Sequence, residues 1–298
     1  MKQGGISIVV PDGSMQEVVT GLLVKAGLSV IIEKRRTKEG IVNGVEWIKR
    51  VAFQRPQEIP GYLDSGQFDV AIVGEDWIAN GNYKFPILLA LPVGRGGNKP
   101  VKIVLAVSQS SGFKTLEDLP QNCEVATEYA ELTKRFFLAK GRGDIRVVPS
   151  YGNTEQKIQY GASAIVDVTE SGNSLRENNL DVISEIMESN TVVVANPGSL
   201  TDKDKKPYID CFVRLINGAF QASKYVMLTA NVPEEVLDQA SQIIGGLKGP
   251  SCSPLKTKEW FALQSVVLRE NEQKIIFKLL QIGVTDIIVI RDIPMIMM

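Results

Sequence analysis

The sequence predicts an α/β protein with two lobes around a cleft, followed by a small, separate α+β domain. Three observations predict it. From residue 6 to residue 195, short β-branched and aliphatic runs alternate with segments of helical spacing, the pattern of a largely parallel sheet covered on both faces. Phe68-Asp69-Val70-Ala71-Ile72-Val73-Gly74 is an apolar strand that stops at a glycine. Such segments are common in two-lobed ligand-binding folds, where the Gly-capped strand end faces the cleft. Beyond residue 223 the pattern changes to strand, helix, strand, helix, strand over about 75 residues, enough for a small domain.

Ile6–Val10 reads as a buried strand, and Pro11-Asp12-Gly13-Ser14 as a turn with capping residues. Val18, Val19, Leu22 and Leu23 give Met15–Lys25 helical spacing, and Gly27 ends that helix before a strand at Leu28–Ile32. This opening implies a parallel sheet with ligands at the C-terminal strand ends. Residues 35–50 are polar and irregular, a flap. Val51–Phe53 is a short strand, Glu58–Ser65 a short helix, and Glu75-Asp76-Trp77 opens the next element. Val101–Val107 is a strand that crosses into a second lobe. Strands follow at Cys123–Ala126, Ile145–Val148 and Ala164–Val168, with helices at 129–140 and 153–160. Val182–Met187 and Thr191–Ala195 carry the chain back to the first lobe. The expected boundaries are 1–104 with 185–200 for the first lobe, 105–184 for the second, 201–223 for a connecting helix and 224–298 for the last domain.

Composition excludes several chemistries. The chain has 298 residues and no histidine, so serine or cysteine nucleophiles paired with imidazole and His-ligated metals are ruled out. The chemistry must rest on carboxylates, hydroxyls, Lys/Arg, backbone dipoles and any Mg²⁺ held by oxygens. A net charge of −1 provides no global field for nucleic acid or anionic membrane. No apolar run is long enough to span a membrane, and the strand at Ile6 leaves no room for a signal peptide. Cys123, Cys211 and Cys252 are too far apart for a CxxC pair, which fits buried free thiols in a reducing, cytoplasmic setting.

Ile165–Leu175 carries the most chemistry. A buried strand end is followed by Asp167, Glu170 and Ser171-Gly172-Asn173-Ser174, and then by the start of a helix. Strand, small polar loop, helix is an arrangement that points N–H groups and hydroxyls at a phosphate, aided by the helix dipole. Gly172 permits close approach. Two acids would repel a phosphate, so they suit ribose hydroxyls beside it. The alternative is a polar turn capped by Ser171 or Asn173.

Four ordered stretches together resemble the long form of ATP phosphoribosyltransferase, the first enzyme of histidine biosynthesis. They are Arg55–Pro60 with Phe68–Asp76, Val125–Phe137, Gly152–Glu155 through Leu180, and Asn231–Pro233 with Lys248–Leu255 and Gly283–Ile290. The resemblance covers nearly the whole chain. It implies two periplasmic-binding-protein-like lobes and a ferredoxin-like regulatory domain. It further implies ATP and phosphoribosyl diphosphate as substrates, Mg²⁺ as cofactor, histidine as inhibitor and a hexamer in balance with smaller forms.

On that reading Asp167 and Glu170 bind ribose hydroxyls and favour positive charge at C1. Thr169, Ser171, Gly172, Asn173 and Ser174 hold the 5-phosphate. Arg55 meets phosphates, or forms a surface ion pair. Gly13 lies in the first phosphate-facing turn. Gly74, Glu75 and Asp76 face the cleft or cap a helix, and Glu128 and Tyr129 contact substrate or cap theirs. Leu247, Ser251, Ser253 and Asn231 line the histidine pocket, with a Pro-bounded turn as the alternative.

Departures accompany the match. The family's Lys-Gly-Arg type of turn is here Asp12-Gly13-Ser14-Met15, so a usual phosphate contact is missing. Ser171 and Ser174 replace threonines, Ser163 replaces an acid, and Asn231 stands where some members place an acid that pairs with the effector amine. Arg95–Lys99 is a Gly-rich basic loop that either replaces the missing pair or simply connects. The rival functions are a non-catalytic sensor on the same two-lobed fold and a catalytically weak regulatory paralogue.

Overall fold

The computed structural model describes residues 4–34, 38–94 and 99–291. They divide into two compact units, the first within residues 1–19 and 30–210, the second within 20–29 and 211–298.

The first unit holds two sheets. Strand β1 (Ile6–Pro11) leads through a single turn into α1 (Gln16–Lys25), β2 (Val30–Lys34), β3 (Glu39–Val42) and β4 (Ile48–Gln54). Helix α2 (Ile59–Asp64), β5 (Val70–Gly74), α3 (Glu75–Asn80) and β6 (Ile87–Leu91) follow. The sheet order is β2-β3-β4-β1-β5, continued by β12 (Thr191–Ala195) and β6. Its central strands β4, β1 and β5 are parallel, and Ile8, Val9, Val70 and Ala71 are fully buried there. That double-sided burial is why these strands read as unbroken apolar runs. The expected flap at 35–50 instead contains β3 and the start of β4 across residues 39–50. Pairing with neighbours overrides polar composition there, while residues 35–37 lie outside the described residues.

The second sheet is built from β7 (Val101–Ser108), β8 (Glu124–Thr127), α4 (Ala130–Ala139), β9 (Arg146–Pro149), β10 (Ala164–Thr169), α5 (Asn173–Glu177) and β11 (Leu180–Ser189). Its order is β11-β7-β10-β8-β9. The expected lobe boundaries at 104/105 and 184/185 therefore cut through β7 and β11, both of which lie whole in this sheet. The return crossing is the single residue Asn190. Its backbone and side-chain N–H groups donate to Glu75 Oε2 at 2.8 and 3.0 Å, and its carbonyl accepts from the Glu75 N–H. Helix α6 (Pro197–Thr201) is capped by the Asn196 side chain, and α7 (Lys206–Ala222) begins beyond it.

In the second unit, α7 buries Phe212, Ile216 and Ala219. Then come β13 (Tyr225–Pro233), α8 (Leu237–Ile244), β14 (Ser251–Pro254), β15 (Trp260–Leu268), α9 (Glu272–Gln281) and β16 (Thr285–Arg291). The antiparallel order β14-β15-β13-β16 is the ferredoxin-like arrangement, with one strand more than the sequence pattern suggests. Ser251-Cys252-Ser253-Pro254 has no apolar alternation because it is a fully exposed edge strand. Among the described residues no helix is long and apolar enough to cross a membrane. Of the thiols only Cys123 is buried, and burial pushes it up; Cys211 and Cys252 are exposed, contrary to the expectation.

Candidate active site

Strand β10 lies between β7 and β8, with Ile165 and Val166 fully buried, so its end delivers Asp167 and Thr169 to one place. The Gly172 N–H donates to Thr169 Oγ1 at 2.9 Å and closes the loop. Gly172 has φ +75, which only glycine adopts without strain. Arg176 folds back and donates to the Ser171 carbonyl and Asn173 Oδ1. Ser174 Oγ donates to Glu155 Oε1 at 2.8 Å, tying the loop to the residues after β9. A cavity of about 450 Å³ is lined by Glu128, Glu155, Asp167, Thr169, Glu170, Ser171, Asn173 and Ser174.

Two local expectations change. The N-cap of α5 is Gly172, and no side chain caps it, so neither Ser171 nor Asn173 serves as the cap. Helix α5 has only five residues, too short to supply the expected dipole. At α4, Thr127 Oγ1 accepts the Tyr129 N–H at 2.9 Å, which leaves the exposed Glu128 facing the cavity rather than capping.

A second, smaller cavity of about 70 Å³ shares Val101 and Val168 with the first and is lined by Gly74, Asp76, Trp77 and Tyr129. Here Asp76 has protein partners. Its Oδ2 accepts from the Tyr129 hydroxyl at 2.9 Å and its Oδ1 from the Trp77 N–H at 2.9 Å. Burial pushes this carboxyl above its ordinary value although both bonds pull it down. Gly74 is needed because a Cβ there would sit 2.1 Å from Asp76 Oδ1. Asp76 thus serves the joint between the sheets, whereas Gly94 lets the Glu170 carboxyl approach within 2.9 Å of where its Cβ would stand.

Arg55 and Gly13 lie elsewhere. Arg55 lines a third cavity, of about 520 Å³, with Asp12, and the Gly13 Cβ position is 3.8 Å from Arg55 Nη1. Arg55 Nε is 3.8 Å from Asp12 Oδ1, so the ion-pair alternative is present. Lys38, which sequence reasoning did not single out, bonds Asp12 Oδ2 at 2.8 Å. No spacing rule connects residues 12 and 38. Residues 95–98 of the basic loop lie outside the described residues.

In the second unit Asn231 pairs with Ala262, and Ala262 with Ser253, so their side chains share the sheet face away from Val232 and Leu263. Ser251 and Ser253 belong to β14, a strand where the alternative reading had a Pro-bounded turn; Leu247 is exposed in the segment before it. Asn231 Nδ2 donates to Asp286 Oδ2 at 3.3 Å, which adds an acid that sequence reasoning missed. Among the described residues no three His, Cys, Asp or Glu side chains are grouped to hold a metal.

Comparison with known proteins bears on what this arrangement does. The family model described as ATP phosphoribosyltransferase matches residues 55–218, and the model of that family's C-terminal domain matches residues 222–291. An ATP phosphoribosyltransferase of Thermodesulfovibrio yellowstonii is 34% identical over 288 residues, 97% of each chain. One from Chlorobium phaeobacteroides is 34% identical over 285 residues, 96% of this chain and 95% of that one. Among solved structures, the ATP phosphoribosyl transferase (HisG:HisZ) complex from Thermotoga maritima matches with TM-score 0.61 and 26% identity, covering 72% of this chain and 98% of that one.

Proposed function

The chain belongs to the ATP phosphoribosyltransferase family, which performs the first step of histidine biosynthesis, and we propose how its residues divide that work. The reaction joins N1 of the ATP adenine to C1 of phosphoribosyl diphosphate and releases pyrophosphate. The nucleophile already bears a lone pair, so a chain without histidine loses nothing by lacking an imidazole base. Catalysis reduces to holding two polyanions in line and stabilising charge as the bond at C1 breaks.

The observation that carries the assignment is the 450 Å³ cavity, which gathers four acids, Asp167 and Glu170 among them, and a hydroxyl-rich loop in one space. The Gly172 and Asn173 backbone with the Ser171 and Ser174 hydroxyls holds the 5-phosphate. Asp167 and Glu170 accept hydrogen bonds from the ribose hydroxyls, and their charge favours the oxocarbenium character developing at C1. Thr169 shapes the loop through its bond to the Gly172 N–H. Mg²⁺, when bound, would supply charge neutralisation on the diphosphate. The cavity's oxygen donors suit it, and a hard cation that completes its shell with phosphates and water needs no cage made of protein alone.

Histidine binding at the second unit is the regulatory part of the proposal. Asn231 and Ser253 share a sheet face, and Asp286 beside Asn231 offers a carboxylate for the effector's amine. A hexamer in balance with dimers, in the cytoplasm, completes the reading. The test is formation of phosphoribosyl-ATP, followed by its ultraviolet absorbance, with ATP, phosphoribosyl diphosphate, Mg²⁺ and pyrophosphatase, with and without histidine. Signal that histidine suppresses supports both parts. Signal indifferent to histidine removes the effector assignment. No signal, with both substrates bound by calorimetry, leaves the regulatory paralogue.

A further inference from the structure

Glu170 leaves its own sheet to rest against the other. It follows β10 of the second sheet, yet its carboxyl lies over Gly94, which follows β6 of the first. A Cβ on Gly94 would stand 2.9 Å from Glu170 Cδ, 2.9 Å from Oε2 and 3.1 Å from Oε1. The whole carboxyl group therefore occupies the space that a side chain at 94 would fill. The Gly94 φ lies outside the left-handed region, so its backbone would accept an L side chain. Glycine stands here for the room it leaves and not for backbone freedom.

The seat is fixed from the first sheet. Leu91 is fully buried at the end of β6, opposite Thr191 of β12. The Thr191 hydroxyl donates to the Val93 carbonyl at 2.8 Å, and the Val93 N–H to the Leu91 carbonyl at 2.7 Å. Gly94 follows directly and is buried. It lines the 70 Å³ cavity while Glu170 lines the 450 Å³ cavity, and the two share Val101 and Val168. Glu170 also needs a seat. Glu128, Glu155 and Asp167 line its cavity, and like charges drive a carboxylate on a flexible stem away from them. Fixing the group beforehand removes a rotamer cost from substrate binding, and an acid already aimed where charge develops stabilises that charge without reorganisation.

We propose that Gly94 is a positioning residue for the transferase: the space left by its missing side chain seats the Glu170 carboxylate, so the first sheet aims an acid that the second sheet's loop carries. The proposal rests on the reading in which Glu170 meets the ribose hydroxyls and C1 of phosphoribosyl diphosphate. The phosphoribosyl site is then completed across the two sheets and not by the second sheet alone.

A double-mutant cycle on the full chain tests this, read by calorimetry with phosphoribosyl diphosphate and ATP titrated separately. Gly94→Ala should fold, because the atoms its Cβ meets are the far end of a side chain that can swing aside. It should weaken phosphoribosyl diphosphate binding roughly tenfold, the worth of one hydrogen bond to a charged group, and leave ATP binding unchanged. Glu170→Ala should weaken it at least as much. Adding Gly94→Ala to Glu170→Ala should cause no further loss, because Gly94 acts only through that carboxylate. Urea midpoints of all three variants should stay near the native one. Native affinity in Gly94→Ala, an equal loss for ATP, or the same loss in the Glu170→Ala background overturns the proposal. So does a collapsed Gly94→Ala midpoint that Glu170→Ala fails to restore, which would place the cost in the backbone. Failure of the transferase reading is seen separately, in the native protein, as no binding of phosphoribosyl diphosphate and no phosphoribosyl-ATP.

Discussion

The Tyr129 hydroxyl donates to Asp76 Oδ2 across 2.9 Å and joins the two sheets of the first unit. Asp76 opens α3, after β5 of one sheet; Tyr129 precedes α4, after β8 of the other. The Trp77 and Tyr129 rings lie 4.4 Å apart beside this bond. Asn80 Oδ1 accepts the Leu132 N–H at 3.0 Å, and Arg135 donates to the carbonyls of Ala79 and Asn80, so α4 satisfies the end of α3. The joint is buried and polar, and removing the Tyr129 hydroxyl takes from Asp76 Oδ2 its donor.

Tyr129→Phe should therefore destabilise the protein by about 1–3 kcal/mol, the cost of a buried acceptor losing its donor. Urea denaturation measures it. An unchanged midpoint would mean that water replaces the hydroxyl.

Asp76 carries a pH signature. Burial raises its folded-state pKa above the ordinary 3.8. Between those two values the folded state holds a proton that the unfolded state has released, so this group's contribution to stability falls as pH rises. Asp76→Asn should flatten the dependence of Tm on pH from about 4 towards neutrality, above the ordinary carboxylate range. A variant as steep as the native protein would refute the assignment.

Asp69 behaves in the opposite way. Burial alone would raise its carboxyl, but hydrogen bonds from Lys205, Ser199 and the Ser7 N–H outweigh burial and hold it below 3.8. Its contribution is present above 3.8 and is lost as pH falls through the lowered folded value. Lys205→Met should lower Tm at neutral pH and soften the acid loss. Thermal melts from neutral to strongly acidic pH show both effects, and parallel native and variant curves would count against them.

The loop gives two kinetic expectations. Gly172→Ala places a Cβ at φ +75 and 3.2 Å from the flexible end of Arg176, a cost of about 1 kcal/mol in backbone strain. Ser174→Ala removes the exposed bond to Glu155, with a stability change within roughly 0.5 kcal/mol. Both should raise KM for phosphoribosyl diphosphate more than KM for ATP. Equal effects on the two substrates would place the 5-phosphate elsewhere.

In the second unit, Asp286→Asn should raise the histidine concentration needed for half-inhibition severalfold while leaving kcat unaltered. An inhibition curve that does not move would exclude this carboxylate as the amine's partner.

What the sequence determined by itself is local. β5 and β10 are legible because strands buried on both faces need unbroken apolar runs. The loop from Asp167 to Ser174 is legible because its functional groups are neighbours in the chain, so one turn gathers them. The tertiary structure decided the rest. It paired Asp76 with Tyr129 and Asp12 with Lys38, and it set the crossing between sheets at Asn190. It also made strands of the edge segments 87–91 and 251–254, whose patterns are weak because one side has no neighbour to pack against. Periodicity and turn chemistry are properties of contiguous residues, whereas a carboxylate's partner depends on which strands and helices the fold sets side by side.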